Sequence, residues 1–282
     1  MPPASAVASS PRLDSDVGHA LVELAPEGTG KNGRFLGRSA AGRRLEVTLA
    51  IRARPRPHRA DLAAYRVAQA LGLAVVPPTR VERLPVARLG ALLANQEEVR
   101  ALVAERAVVD NDGTVLALMQ QSCPGRPLFV GTGAPASQWA DLASAADAPP
   151  PEVRRTLSGY VQMVVLDFLI GNVERSNVAY DESAGALCVA DNSGGFPGYL
   201  GPAAQDLLLR RLRPLRRFPA GLDEALRRLD EAKLRSLLQR GAFTDWLVGP
   251  RQLTDFAERR AALRTLLAAK IAQHGRASVL SL

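Results

Sequence analysis

The sequence predicts an α+β chain of two lobes, strand-rich first and helical second. Short apolar runs with alternating faces, punctuated by Gly and Pro, fill the stretch from Gly18 to Gln121. From Pro151 onward apolar residues recur at helical spacing. Between them Cys123-Pro124-Gly125-Arg126-Pro127 breaks regular structure. This order places one lobe at 18–122 and a second at 123–282, after a Pro/Ala/Ser-rich segment 1–17 expected to be disordered.

The elements follow in order. Ala20-Leu21-Val22-Glu23-Leu24 and Arg34-Phe35-Leu36-Gly37-Arg38 read as strands flanking the glycine-bearing turn Glu27–Gly33. Leu45–Ile51 is a third strand, which Pro55 and Pro57 end. Asp61–Leu71 is a helix whose apolar face is Leu62, Tyr65, Val67, Ala68 and Leu71, with Gly72 as its stop. Val75–Val81 is an extended exit, and Gly113 turns into a buried strand, Thr114–Gln120. In the second part, Leu157, Tyr160, Val161, Val164, Val165, Phe168 and Leu169 mark a helix between Pro151 and Gly171. Amphipathic segments then run from about Gln205, broken at Pro214, Pro219, Gly241 and Pro250.

Composition narrows the function. Of 282 residues, 47% are hydrophobic and 23% charged, the balance of a globular protein and not of a disordered tail. With aromatics at only 5%, the core must be built mainly of Leu, Val, Ala and Ile. No apolar run approaches the ~18 residues of a spanning helix, which excludes a membrane span. The N-terminal residues lack an apolar stretch, so no secretory signal is expected. Two cysteines, Cys123 and Cys188, are too few for a disulfide scaffold or a four-cysteine zinc site; Cys188 reads as a core residue and a reducing cytoplasm is the expected setting. His19, His58 and His274 lack ligand-pair spacing, which argues against zinc. Trp139 and Trp246 read as packing residues.

The net charge of +8 (36 cationic minus 28 anionic residues) suits an anionic ligand. Only Lys31, Lys233 and Lys270 are lysines, so the excess is arginine. The basic run Arg210–Arg217 invites a nucleic-acid reading, but Leu208, Leu212 and Leu215 give it a buried seam and no aromatics interleave to stack bases. Its arginines are expected to form the wet face of a helix, and a nucleic-acid partner is disfavoured.

Chemistry concentrates in Leu166–Asn177, where an apolar helix runs into Gly171 and polar residues cluster. A short apolar strand, Leu187–Ala190, then delivers Asp191-Asn192-Ser193-Gly194-Gly195-Phe196. Carboxylates and amides at the ends of adjacent elements suit Mg²⁺ and a polyphosphate, because Mg²⁺ takes hard oxygen ligands from one or two carboxylates and fills the rest with phosphate and water. Gly28-Thr29-Gly30-Lys31-Asn32 is not a P-loop: Ala25 stands where the first Gly belongs and Asn32 where Ser or Thr belongs.

These segments resemble the catalytic and metal-binding segments of the atypical protein-kinase-like superfamily. The nearest form is the secretory-pathway, Golgi casein kinase type; phosphoinositide kinases and HipA-like kinases share the plan more distantly. The shared pattern is an Asp-Phe-Leu helix, Gly-Asn-x-Asp-Arg, and a strand ending in Asp-Asn-Gly. The first lobe is similar too, through Arg52, Asp61, Ala64-Tyr65-Arg66, Leu71-Gly72-Leu73 and Val76-Pro77-Pro78, so the resemblance covers roughly residues 20 to 200.

It implies a protein-kinase-like fold that binds ATP and Mg²⁺ and moves the γ-phosphate to a hydroxyl of a protein or small molecule. Asp191 would hold the metal, with Asn177 as second ligand. Glu174 would orient or deprotonate the acceptor, and Arg175 would stabilise the loop or offset phosphate charge. Arg52 would bind phosphate with Asp61 as its partner, and Met119 to Gln121 would form the hinge against adenine. Gly28, Gly30 and Lys31 would lie over the phosphates, with Lys31 able to assist Arg52. Arg52, Asp61 and Glu174 each depart from the Lys, Glu and Asp of the pattern. The site has therefore either readjusted as a set or binds nucleotide without efficient transfer, as a regulatory pseudokinase. A basic adaptor for nucleic acid is the remaining alternative.

Overall fold

The computed structural model describes residues 20–28, 31–56, 59–129, 136–175, 177–239 and 247–282; the proposed 1–17 segment, Gly30, His19, His58 and Trp246 lie outside them. The chain opens with β1 (Leu21–Pro26), β2 (Arg34–Ser39) and β3 (Arg44–Leu49), then α1 (Arg59–Leu71) and β4 (Thr79–Pro85). Helices α2 (Val86–Leu92) and α3 (Glu97–Arg106) precede β5 (Thr114–Gln121). The five strands form one antiparallel sheet in the order β1-β2-β3-β5-β4.

Alternation decides which face of that sheet is covered. On β3, Leu45, Val47 and Leu49 are buried, while Arg44 and Glu46 point to the other side. The buried set joins Leu21, Leu24, Phe35 and Met119 beneath Leu89 and Leu93. The opposite face carries Arg34 and Glu46.

The second lobe begins with β6 (Arg126–Phe129) and α4 (Ala136–Ser144). A single 3-10 turn leads into α5 (Arg154–Ile170), then β7 (Asn177–Asp181) and β8 (Ala186–Cys188), which pair with β6 as a small antiparallel sheet. Helices α6 (Pro202–Leu212), α7 (Leu222–Arg228), α8 (Glu231–Gln239), α9 (Pro250–His274) and α10 (Arg276–Val279) complete it. α5 is buried over most of its length, including every apolar position that predicted it. Gly171 ends it in the left-handed conformation (φ 74°), which a residue without Cβ adopts at no steric cost. Trp139 packs against Tyr160 and Tyr180, as a packing residue should.

The second core does not stop at the lobe boundary. Leu62, Val67, Leu71, Leu73, Val75 and Val76, from α1 and its exit, belong to the same cluster as α5. Hydrogen bonds reinforce this seam: Ala74 N–H donates to Gln162 Oε1 and Val189 N–H to Val75 O. α1 is thus anchored to the helical lobe, and its first turn is fixed relative to the loop that follows β8.

Two readings are corrected. Cys188 is not a free core thiol; it forms a disulfide with Cys123, just past β5. The run Arg210–Arg217 is not one wet helical face either. α6 ends at Leu212, and Arg217 is buried with its guanidinium donating to the carbonyls of Ala145 and Ala146. Arg216 lies 3.3 Å from His274 Nδ1, and Arg210 pairs with Asp206. The buried seam of Leu208, Leu212 and Leu215 is as expected.

The disulfide spans 65 residues. Constraining an unfolded loop of that length stabilises the fold by about 4 kcal/mol. The double substitution Cys123→Ser, Cys188→Ser should therefore lower the unfolding free energy by about 2–4 kcal/mol in denaturant titration. An unchanged midpoint would show that the bond carries no constraint.

Candidate active site

The site is built around one buried guanidinium. Arg175 follows the α5 C-terminus, and all five of its N–H donors have acceptors. Its Nε faces both carboxylate oxygens of Asp167 at 3.3 Å, and Nη2 reaches Asp167 Oδ1 at 2.9 Å. Nη2 also donates to Asn192 Oδ1 at 2.5 Å. Nη1 donates to the carbonyls of Ala190 (2.8 Å) and Asp191 (3.1 Å). Burial pushes the Asp167 carboxyl above its ordinary value, and the Arg175 charge pulls against that shift. With every donor committed, Arg175 is a positioning residue that clasps the loop after β8.

That loop is bent where the clasp grips it. Asp191 has φ 48°, left-handed backbone that costs a non-glycine residue on the order of 1 kcal/mol. Asn192, fully buried, is held on three sides. Its side chain accepts from Arg175, its amide nitrogen lies 3.5 Å from Val189 O, and its backbone N–H donates to Asp61 Oδ1 at 2.5 Å. Asp191 itself remains 59% exposed at the side chain, pointing its carboxylate at the cleft. Partial burial alone would raise its pKa. The Ser193 hydroxyl (2.6 Å to Oδ1) and backbone N–H, and the Arg34 guanidinium (3.4 Å to Oδ2), outweigh that and hold the carboxyl below its ordinary value.

Glu174 is exposed one residue before the clasp, its N–H donating to Asn172 Oδ1. It shares a niche with the Asp191 loop: a Cβ built on Gly194 would lie 2.8 Å from Asn172 Oδ1 and 3.6 Å from Glu174 Oε2. Position 194 therefore favours a residue without Cβ, and Glu174 approaches the loop that carries Asp191 at this glycine.

The first-lobe candidates are placed differently from expectation. Arg52 is exposed in the turn after β3, its backbone N–H bonded to Arg106 O. Arg54 and Arg175 act on Asp61, and its Oδ1 accepts from Asn192 N–H, so Asp61 anchors the Asp191 loop instead of pairing with Arg52. Met119 is buried toward the first core, because alternation along β5 turns its side chain from the cleft. Gln121 N–H is taken by Pro78 O, and Ser122 N–H by Arg44 O. The ladder thus runs through the positions expected to form the hinge. Gly28 and Lys31 are exposed in the turn between β1 and β2, and Gly30 lies outside the described residues. Asn177 opens β7, but its side chain is not among those described.

Residues given no role from the sequence also take part in the site: Arg34, Glu46 and Asp167, the last quoted only within the Asp-Phe-Leu pattern. Asp167 had a legible signal, a lone charge within an apolar helix. Arg34 and Glu46 are cleft-facing by strand alternation alone. Burial, then Glu27 and Asp191, raise the Glu46 carboxyl, and Arg34 opposes them.

Sheet order, the helix crossing to the second lobe and the clasped loop define a kinase-like two-lobed fold. No family model and no curated protein matches the chain by sequence. Solved structures do match. A Golgi casein kinase is 13% identical with a TM-score of 0.64, covering 93% of this chain and 76% of that one. The Golgi casein kinase with Mn/ADP bound is 14% identical with a TM-score of 0.62 over the same shares. A hydra Fam20 protein with sugar is 13% identical with a TM-score of 0.60, covering 93% and 88%. The atypical kinase fold read from the sequence is the fold observed. The expected cytoplasmic setting is overturned: two of the matching structures are of the Golgi casein kinase, and the Cys123–Cys188 bond agrees with an oxidising compartment.

Burial raises the Asp61 carboxyl to about 6, a shift opposed by the Asn192 N–H and increased by the Asp191 charge. The unfolded chain releases this proton first, so the shift costs stability as pH rises from about 4 to about 6. Asp61→Asn keeps an acceptor for Asn192 and removes the titration. Between pH 4 and 7 its stability should rise relative to the parent by on the order of 2–3 kcal/mol. Parallel pH profiles of unfolding free energy would refute this.

Proposed function

We propose that the protein is a phosphotransferase that uses ATP and a divalent cation, Mg²⁺ or Mn²⁺, to phosphorylate a hydroxyl. The observation that carries this reading is the Asp191 carboxylate, ionised, half exposed and fixed by a buried clasp, on a loop that Glu174 approaches at Gly194. The reading is supported by the fold it shares with a kinase solved with Mn/ADP.

The residues fit a metal–nucleotide complex. Asp191 is a hard, deprotonated oxygen donor, and Gly194 lets backbone approach closely where a side chain would block. The bound nucleotide would supply the phosphoryl group, and the cation would offset its charge. Asp191 would hold the cation. Glu174 would orient the acceptor hydroxyl and take its proton at the carboxylate. Arg175 and Asp61 keep the Asp191 loop in place, and positioning is most of what phosphoryl transfer asks of a protein.

A binding-only, pseudokinase reading has one observation in its favour: Arg52 and Asp61 do not form the cation–acid pair that the resemblance implied. Transfer of labelled γ-phosphate to the protein itself or to a test acceptor separates the two. Asp191→Ala should abolish both transfer and the metal-dependent thermal stabilisation by ATP. Glu174→Gln should keep the stabilisation and cut transfer by about 10²-fold or more. ATP stabilisation without transfer would establish the pseudokinase; no ATP effect at all would defeat both readings.

A further inference from the structure

We infer that Arg34 is the phosphate-binding cation of this site, and that its contact with Asp191 competes with a metal for that carboxylate. This rests on the phosphotransferase reading above and assigns that site its phosphate contact.

Arg34 sits at the start of β2, directly after the turn from β1. Its carbonyl accepts from Glu27 N–H and its backbone pairs with Thr48 of β3. The sheet thus fixes its Cα and leaves a long side chain to reach across the cleft. The guanidinium meets Asp191 Oδ2 at 3.4 Å, with the two side chains 43% and 59% exposed. A contact so solvated is weak, about 0–1 kcal/mol, and easily exchanged. It also faces Glu46, whose carboxyl feels both Arg34 and Asp191.

Geometry makes the exchange specific. A phosphate held through a cation on Asp191 would lie beside that carboxylate, within reach of the Arg34 guanidinium, which stands 3.4 Å from Oδ2. A planar fork of donors is well matched to phosphate oxygens. Arg52 is exposed in the turn after β3 and forms no ion pair with Asp191.

Arg34 then plays opposite parts in two states. Without nucleotide it competes with the cation for Asp191. With nucleotide it moves to the phosphates and favours binding of the same cation. Isothermal titration of the full chain with Mn²⁺ alone, and with ADP in saturating Mn²⁺, reads both signs. Arg34→Ala should tighten Mn²⁺ alone severalfold and weaken ADP about tenfold or more. Arg34→Lys should recover part of the ADP affinity, and Arg52→Ala should stay within twofold throughout. Thermal unfolding of each variant excludes misfolding as the cause. The inference is overturned if Arg34→Ala binds ADP within twofold of the parent, if it weakens Mn²⁺ alone, or if Arg52→Ala carries the loss. If the parent binds neither Mn²⁺ nor ADP, the phosphotransferase reading itself fails.

Discussion

The Arg175–Asp167 pair is the constraint on which the site depends. Two opposite charges are nearly withdrawn from water, with side-chain exposures of 3% and 4%. Burying such a pair is costly, and breaking it by removing one partner costs about 3–5 kcal/mol. The cost is offset by completeness, since no guanidinium N–H is left without an acceptor. What the pair secures is local geometry: a left-handed Asp191, an Asn192 pinned by side chain and backbone, and a carboxylate turned outward. Strain of this kind persists only where its surroundings over-determine it.

The two lobes meet through the same loop. Asp61 reaches it from the first turn of α1, and α1 is packed into the second core. The Cys123–Cys188 bond ties the end of β5 to the end of β8, three residues before Asp191. Chain connection, covalent bond and hydrogen bond therefore converge on the segment that presents the candidate metal ligand. The first-lobe sheet contributes the remaining charge, Arg34 against Asp191 and Glu46.

Much of this was legible in the sequence. The α5 pattern, its glycine stop and the polar cluster after it follow from periodicity and from glycine stereochemistry, both local properties. β3 carries alternation for the same reason. Other features were not legible because they depend on distant partners. Cys123 and Cys188 read as thiols until the fold brings them together. Asp61 reads as a partner for Arg52 until α1 docks against the second lobe and turns its carboxylate to Asn192. Met119 reads as hinge until strand alternation sends it into the core. Arg34 looks like any surface arginine on a strand until the loop carrying Asp191 rises opposite it.

The most direct test of the account is a crystal structure of the protein with Mn²⁺ and ADP, phased to show the anomalous signal of manganese. The account predicts a manganese peak bonded to an Asp191 oxygen, in the cleft between the five-stranded sheet and the Glu174 loop, with the ADP phosphates against it. Manganese and ADP bound away from Asp191, or a cleft that stays closed around an unexchanged Arg34–Asp191 contact, would contradict it.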